Sequence, residues 1–315
     1  MSQTLQSFLW LIFDTICPIA LGYVLHVRGM VTRQQTQALI TFNVRVMYTL
    51  LAFLAFWSLN ITAELFWIVP VSLLLYFFPY WMGLGMSRGV KDPAVRGPFV
   101  ISAMLGNVGS LGGLMAFLIL GQSGFAISQI ATVVQTTLLV VYCFPVCQKY
   151  SDLASAGNSP VRKRSLRELL LTWNQISVLG MVLGGVFSVC GVHQPESLST
   201  VFKALIHIAC WINFLPVGLL IDFKAALPYM RLVSSLIPIK FLLAPAVIWA
   251  VCEVVFNDPL ITRTLVILAA TPTAINAVLS SALYGLKKDV AIASFIGTSV
   301  LFCLIVGPAL FLLLS

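Results

Sequence analysis

One apolar stretch of this chain is interrupted by the sequence Leu105-Gly106-Asn107-Val108-Gly109-Ser110-Leu111-Gly112-Gly113. A second apolar stretch is interrupted by Ala270-Thr271-Pro272-Thr273-Ala274-Ile275-Asn276. Gly and Pro weaken or break a helix, and in a bilayer the freed N–H and C=O groups need protein or water as partners. Each interruption also carries an amide, Asn107 or Asn276, that a lipid-facing helix would avoid. Paired interruptions of this kind are typical of the binding site of a membrane transporter.

The composition of the chain is that of a membrane protein. Of its 315 residues, 60% are hydrophobic and only 9% are charged, and the mean hydropathy is +1.01. Soluble domains carry about 25% charged residues, and a membrane span needs about 20 apolar residues. The sequence therefore predicts an all-α membrane protein with ten transmembrane helices, at 7–26, 37–59, 65–85, 98–120, 126–147, 174–191, 199–221, 233–256, 264–284 and 290–314.

The formal net charge of +8 is distributed unevenly among the predicted loops. Most basic residues follow an odd-numbered span: Arg28, Arg33, Arg88, Lys91, Arg96, Lys149, Arg162, Lys163, Arg164, Arg167, Lys224, Arg231, Lys287 and Lys288. Because basic loops stay in the cytoplasm, we expect both termini outside it, in a cell membrane such as the bacterial inner membrane. The basic excess is then a topology signal, and it does not indicate binding to nucleic acid.

The longest predicted loop divides the spans into two sets of five. Residues 149–173 form a polar, cytoplasmic linker between a first repeat at 1–148 and a second repeat at 174–315. An odd number of spans per repeat makes the second repeat enter the membrane from the opposite side, so the repeats are inverted. The two interrupted spans, the fourth and the ninth, then occupy corresponding positions. We expect both to be broken and to cross near mid-membrane, with Gly109 to Gly113 and Thr271 to Thr273 at the crossing.

Several motifs along the chain share one known pattern. They are Gly106 to Gly113 followed by Gly121-Gln122-Ser123-Gly124, the run Thr271-Pro272-Thr273, the run Tyr284-Gly285-Leu286-Lys287-Lys288-Asp289, Ser299 in the last span, and Pro18-Ile19-Ala20-Leu21-Gly22-Tyr23-Val24 in the first. Together they resemble the auxin efflux carrier family, which includes bacterial transporters of malonate, malate and related carboxylates, and the plant auxin exporters. The resemblance spans nearly the whole chain.

This resemblance implies a fold and an activity. The fold would be two inverted five-helix repeats whose broken helices 4 and 9 cross near the membrane centre, as in bile-acid symporters and sodium/proton antiporters. The activity would be export or uptake of small organic anions through an elevator-like movement of a crossover domain against a scaffold domain.

The interruptions are the first candidate for a substrate site. The N-terminus of a half-helix carries roughly half a positive charge and unpaired N–H groups, so two facing breaks attract an anion without any basic side chain. The alternative is that the amides only satisfy freed backbone groups and that the glycines only permit close crossing. The candidate substrate-binding residues are Asn107, Gly109, Ser110, Gly112, Thr271, Pro272, Thr273 and Asn276.

Arg45 and Asp14 are charged residues inside predicted spans. Arg45 lies near mid-depth in the second span, where a charge is costly, so we expect it to face the protein interior or a wet cavity. It would either neutralise a substrate carboxylate or form an ion pair with Asp14 of the first span. If Asp14 is buried in apolar surroundings, it is the candidate for coupling to a proton or sodium ion, and if it lies beside Arg45, it is a structural partner.

Other polar residues in the spans have simpler expected roles. Lys240 is near the cytoplasmic end of the eighth span and is expected to extend to the interface. Gln135 and Asn213 are expected to form hydrogen bonds between helices. Cys143 and Cys147 share a helix face, but no further metal ligand accompanies them, so the seven cysteines are read as small hydrophobic residues.

The sequence contains none of the common enzyme motifs, such as a zinc-binding helix, a Walker loop or a nucleophile elbow. We therefore expect a secondary transporter of small organic anions, either mono- or dicarboxylates, without catalytic residues, cofactor or metal. Its partners would be the anion, the lipid bilayer, a proton or sodium ion and a second copy of the chain. The alternatives are a cation-coupled antiporter or symporter of related fold, or a membrane sensor or enzyme that does not transport.

Overall fold

The computed structural model describes residues 3–155, 176–220 and 223–314. Within these ranges the chain is almost entirely helical and forms no β-strand, apart from one isolated bridge between Gly106 and Thr273. The α-helices are α1 Gln3–Val27, α2 Arg33–Phe42, α3 Tyr48–Ser58, α4 Ile68–Met86, α5 Pro93–Met104, α6 Gly113–Leu138, α7 Phe144–Ala154, α8 Ile176–Val189, α9 Glu196–Leu220, α10 Phe223–Ala226, α11 Met230–Val233, α12 Leu236–Pro238, α13 Ala244–Val255, α14 Pro259–Ala269, α15 Ile275–Leu283, α16 Lys288–Leu301 and α17 Gly307–Leu314. Segments of π-helix connect several of them, at Asn43–Met47, Val108–Gly112, Leu139–Cys143, Ile239–Leu243 and Phe302–Val306.

In the described part of the chain, seven helical stretches are long and apolar enough to cross a bilayer, which confirms the all-α membrane class. They are Leu9–Val27, Gln34–Ser58, Ala63–Gly89, Val108–Ala154, Glu196–Leu219, Leu236–Val255 and Lys288–Leu314. Two shorter helices, α8 and α14, are also apolar. The stretch from Val108 bends at Gly121, whose φ of 73° only glycine adopts readily.

The predicted linker at 149–173 begins later than expected. Helix α7 continues to Ala154, and the Gln148 side chain donates to the Asp152 carboxylate on the same helix, at 2.6 Å. The rest of the predicted linker, 156–173, lies outside the described residues.

The helices form two packed groups, and the first contains α1, α3, α8 and α9. Helix α1 runs along α9, and α3 runs along α8. Glycines lie where these backbones touch: a Cβ on Gly22 or Gly218 would overlap the opposite helix of the α1–α9 pair, and one on Gly184 would overlap α3. Small residues allow this close approach within a membrane. We call these four helices the scaffold group.

The second group, here called the crossover group, contains α4 to α7 and α13 to α16. Helix α5 packs against α4, α7 and α16, and α14 packs against α6 and α13. The hydroxyl of Tyr76 on α4 donates to the carbonyl of Ala131 on α6, at 2.7 Å. Phe99 of α5 and Phe295 of α16 are among the large, fully buried side chains of this group, whereas Phe125 of α6 packs against Phe202 of α9 in the scaffold group.

Helices α5 and α14 begin in the same way. Pro93 and Pro259 occupy their first positions, and the preceding Asp92 and Asp258 accept hydrogen bonds from backbone N–H groups of the first turn, at 2.9 and 2.8 Å. An Asp cap followed by Pro is a strong helix start. Lys287 donates to the Asp92 carboxylate at 2.9 Å, and this hydrogen bond holds the pKa of Asp92 below its ordinary value.

Both interruptions are breaks, and they meet. Helix α5 ends at Met104 and α14 ends at Ala269, and an extended segment follows each. The two segments pair in antiparallel fashion: Asn107 N–H donates to the Pro272 carbonyl at 2.7 Å, and Ala274 N–H donates to the Leu105 carbonyl at 2.9 Å. Each break therefore satisfies backbone groups of the other.

The position of the crossing corrects the sequence-based register. We expected the helices to cross at residues 109–113 and 271–273, whereas the pairing involves 105–107 and 272–274. The glycines after Asn107 belong to the π-helical turn that starts the next half-helix. Their missing side chains serve packing, because a Cβ on Gly112 would lie 2.9 Å from side-chain atoms of Leu268 and Thr271.

Candidate functional site

A cavity of about 290 Å³ lies between the scaffold group and the crossover group, beside the paired breaks. The scaffold side contributes residues that precede and begin α3 and residues of α8 and α9. The crossover side contributes the two breaks and one face of α6. The lining residues are Ile40, Val44, Tyr48, Gly106, Asn107, Gly109, Ser110, Gln129, Thr132, Gln135, Thr136, Leu139, Ser177, Asn213, Pro216, Val217, Ala274, Ile275, Asn276 and Leu279.

Two helix N-termini open onto this cavity. Asn107, with φ −79° and ψ 55°, precedes the half-helix that starts at Val108, and Ala274, with φ −77° and ψ 150°, precedes α15. The N–H groups of a first helical turn have no acceptor within their own helix, and each N-terminus carries roughly half a positive charge. First-turn residues of both half-helices, including Ser110 and Asn276, line the cavity.

The side chains around the cavity are polar but neutral. Amides are contributed by both breaks, by α6 and by α9, and hydroxyl groups by α3, α6, α8 and the first break. None of the lining residues, all within the described ranges, carries a charged side chain: the polar ones are Tyr48, Asn107, Ser110, Gln129, Thr132, Gln135, Thr136, Ser177, Asn213 and Asn276. Such a surface donates hydrogen bonds to an anion and leaves its charge to be balanced by helix ends.

Two side chains donate hydrogen bonds to backbone carbonyl groups of the first break. Gln135 of α6 donates to the Gly106 carbonyl at 2.6 Å, and Lys240 donates to the Leu105 carbonyl at 3.4 Å. Gln135 thus makes the interhelical hydrogen bond predicted for it. Lys240 does not extend to the interface as expected, since it is only 3% exposed. Lys240 lies in the π-helical segment Ile239–Leu243 and turns inward, because the Leu105 carbonyl offers it a partner inside the protein.

Thr271, Pro272 and Thr273 are buried in the crossing and do not line the cavity. The backbone N–H of Thr273 donates to the Thr298 hydroxyl at 2.9 Å, and the Thr273 hydroxyl donates to the Ser102 carbonyl at 3.1 Å. These residues hold the break in place. Of the eight candidates in the breaks, the cavity brings together Asn107, Gly109, Ser110 and Asn276, and Gly112 packs behind it.

Arg45 is exposed and does not line the cavity, which corrects the expectation that it faces the interior. It lies in the π-helical segment Asn43–Met47, where Asn43 is the buried residue. The Asn43 amide donates to the carbonyl of Ala209 on α9, at 3.1 Å. This register places the Asn43 side chain against α9.

Asp14 pairs with His207 and not with Arg45. The Asp14 carboxylate is fully buried on α1, and its Oδ2 lies 2.5 Å from Nδ1 of His207 on α9. The ring of Trp10 lies 4.3 Å from the imidazole. The other carboxylate oxygen of Asp14, Oδ1, is buried and has no hydrogen-bond partner among the residues that the structure describes. The pair joins the two longest helices of the scaffold group and lies outside the cavity lining.

Several lining residues were not identified from the sequence as site residues. Gln129, Thr132 and Thr136 share one face of α6 because they are spaced by three and four residues. That spacing was a usable signal. Ser177 and Asn213 gave no comparable signal, because neither belongs to a polar face of its helix that points to a site, and only the tertiary packing brings them to the cavity.

No protein-family model matches the chain, and no curated protein is significantly similar to it. What defines this protein is therefore its own structure: a helical membrane protein in which two broken helices meet beside a neutral, polar cavity.

Proposed function

We propose that this protein is a secondary transporter of small organic anions, mono- or dicarboxylates, and that the cavity is its substrate site. One observation carries the proposal: two helix N-termini and two asparagines converge on a cavity of about 290 Å³. A carboxylate accepts hydrogen bonds only, and backbone N–H groups at a helix N-terminus are donors aimed at an anion. The donors are therefore of the type that a carboxylate needs.

Asn107 and Asn276 would contact the carboxylate directly. Each lies at the start of a half-helix and borders the cavity from a different break. Their side-chain amides would add donors to those of the first-turn backbone. Hydrogen bonds to a charged group are stronger than those between neutral groups, so each donor to the carboxylate would contribute to binding.

The position of the cavity supports alternating access by an elevator-like movement. Its walls come from the scaffold group on one side and from the crossover group on the other. Both breaks belong to the crossover group, so they would move together with the bound anion while the scaffold group stays fixed. Rigid-body movement of one bundle against another is the usual form of alternating access.

Three recurring features support the proposed arrangement of ten spans in two inverted repeats. Asp92-Pro93 recurs as Asp258-Pro259, and the same separation relates Pro79 to Pro245 within the preceding helical stretches. The π-helical segments Leu139–Cys143 and Phe302–Val306 interrupt the last helical stretch of each half. As part of the same proposal, both termini lie outside the cytoplasm, in a cell membrane of the bacterial inner-membrane type.

The composition of the cavity favours an organic anion over a cation as cargo. A cation exchanger needs carboxylates where the ion binds, and the described lining contains none. Asp14, the candidate for coupling to a proton or sodium ion, is paired with His207 in the scaffold group. We accordingly propose no catalytic residue, metal or cofactor. A membrane sensor or enzyme that does not transport is the alternative function that a flux assay has to exclude.

A flux assay tests the proposal. The purified protein is reconstituted in liposomes loaded with unlabelled acetate, malonate, malate or indole-3-acetate, and uptake of the same labelled compound is followed. We expect saturable counterflow of at least one carboxylate, and no counterflow of the matched neutral amide. Empty liposomes, and liposomes containing heat-denatured protein, are the controls. Absence of counterflow for every carboxylate by folded protein would contradict the proposal.

A further inference from the structure

Lys240 is a buried cation whose described partner is neutral. The side chain is 3% exposed, and its Nζ lies 3.4 Å from the Leu105 carbonyl. Ion pairs among the described residues join Asp14 to His207 and Asp92 to Lys287, and neither includes Lys240. A buried ammonium without a carboxylate is costly in a membrane, so its position needs a physical reason.

The end of α5 supplies that reason. A helix C-terminus carries roughly half a negative charge and presents carbonyl oxygens without intrahelical donors. The Leu105 carbonyl, directly after α5, already accepts the Ala274 N–H and accepts Lys240 as a second donor. In broken-helix transporters, unwound carbonyls and half-helix C-termini are the groups that coordinate a coupling cation. The Lys240 ammonium therefore lies where the local charge and the ligand type suit a free monovalent cation.

We propose that Lys240 is a tethered cation, whose ammonium form occupies a monovalent-cation position at the carbonyl side of the crossing. The protein then has no need of sodium at this position, because the positive charge is covalently attached to the helical stretch Leu236–Val255. Only the role of this charge in anion binding rests on the proposed function.

The tethered charge also acts on the cavity. Neither Leu105 nor Lys240 lines it, but Lys240 reaches the Leu105 carbonyl in the first break, next to the cavity-lining Gly106 and Asn107. No lining residue is charged, and the low-dielectric surroundings screen the ammonium weakly. A single positive charge balances a single carboxylate. The proposal therefore specifies the substrate class as monocarboxylates in preference to dicarboxylates.

A stability experiment tests the tethered cation without any substrate. Lys240→Ala removes the ammonium and leaves space beside the Leu105 carbonyl. We expect its melting temperature in detergent to fall, and to recover partly when sodium or ethylammonium chloride replaces choline chloride at equal ionic strength. The wild type and Lys203→Ala, which changes an exposed lysine on α9, should not respond to this replacement. Equal melting temperatures of Lys240→Ala in all three salts would overturn the proposal.

Two further variants keep the test decisive if Lys240→Ala does not fold. Lys240→Arg keeps the charge, whereas Lys240→Met keeps much of the shape without it. A tethered cation requires the Arg variant to be the more stable of the two. A Met variant that is as stable as the wild type would show that no charge is needed there, and the proposal would be wrong.

Binding measurements then test the effect on the substrate, with acetate and its neutral analogue acetamide as probes. One charge acting over roughly 10 Å at an effective dielectric constant of about 20 changes affinity by roughly tenfold. Lys240→Met should therefore weaken the binding of acetate by about tenfold and leave the binding of acetamide unchanged. Lys240→Arg, which keeps the charge, should bind acetate like the wild type. Equal losses for both probes would refute the electrostatic role. If the wild type binds no carboxylate, the proposed function fails, and the stability experiment alone decides whether Lys240 is a tethered cation.

Discussion

At the scale of single residues, the orientation of each polar side chain in the apolar helices depends on the hydrogen-bonding partner available to it. Gln135 and Lys240 bind backbone carbonyls of the first break, and Asp14 binds His207. A polar group buried in hydrocarbon is costly unless it is hydrogen-bonded. From the depth of such a residue in a predicted span we can therefore infer that it has a polar partner, but not which residue that partner is.

The Asp14–His207 pair gives the prediction at this scale. His207→Leu leaves the buried Asp14 carboxylate without its partner, and breaking a buried pair in this way costs about 3–5 kcal/mol. We expect a large fall in melting temperature for His207→Leu and partial recovery when Asp14→Asn is added. Melting curves of the four proteins of this cycle measure the coupling.

The matched control is His193→Leu, which changes an exposed histidine outside the helices. If His207→Leu melts like the wild type, or if adding Asp14→Asn gives no recovery, the pair is not a structural link between α1 and α9.

The sequence predicted the site residues unevenly, for a physical reason. Asn107 and Asn276 could be identified because an amide in an apolar span is unfavourable unless it has a polar environment. Thr271 and Thr273 were placed in the same site, but they face the interior of the crossing. A break has two sides, and the sequence does not state which side opens to the cavity. His207 could not be matched to Asp14, because the two residues come together only through the packing of α1 against α9.

At the scale of elements, the breaks were predicted from their Gly and Pro residues, but their register was not. The run Gly109 to Gly113 was expected at the crossing, whereas it forms the first turns of the following half-helix. Glycine permits a break without requiring one. The pairing of the breaks is decided by hydrogen bonds between residues far apart in sequence, which local sequence cannot specify.

A prediction for the crossing concerns Gly106. A Cβ at this position would lie 2.6 Å from the Thr271 hydroxyl oxygen, so the paired segments must shift apart. We expect Gly106→Ala to lower the melting temperature, because overpacking a buried site costs about 1–3 kcal/mol. Adding Thr271→Ala removes the obstructing oxygen and should restore part of the loss. Thermal unfolding in detergent measures both effects.

Gly89→Ala is the control for the loss of backbone freedom, because a Cβ there meets nothing within 4 Å. It should melt close to the wild type. Equal melting temperatures for Gly106→Ala and Gly89→Ala would show that the segments are not packed as described.

At the scale of the whole molecule, the scaffold and crossover groups meet at the cavity, and the proposed transport requires them to move relative to each other. Thr132 on α6 and Ser177 on α8 line the cavity from opposite groups. Cysteines introduced at these two positions and joined by a short bismaleimide should abolish carboxylate flux. Counterflow before and after cross-linking, with each single-cysteine variant treated in the same way, measures the effect.

A second cross-link controls for the chemistry. Glu64 lies in the 3₁₀ helix Ala63–Trp67 before α4, Asn257 lies between α13 and α14, and their side chains are 3.2 Å apart within the crossover group. Cysteines joined there connect parts of the same group and should leave flux largely intact. If the cross-link between Thr132 and Ser177 also leaves flux intact, the two groups do not move against each other during transport.

The central claim is that the paired breaks bind a carboxylate, and equilibrium binding of labelled acetate and malonate to a double variant tests it most directly. A hydrogen bond to a charged group contributes about 1.5–3 kcal/mol. Asn107→Ala combined with Asn276→Ala should therefore weaken binding by about a hundredfold or more, in a protein that remains folded by thermal unfolding. Asn60→Ala, which removes an exposed amide from a loop, should bind like the wild type. Unchanged carboxylate binding by the folded double variant would contradict the account.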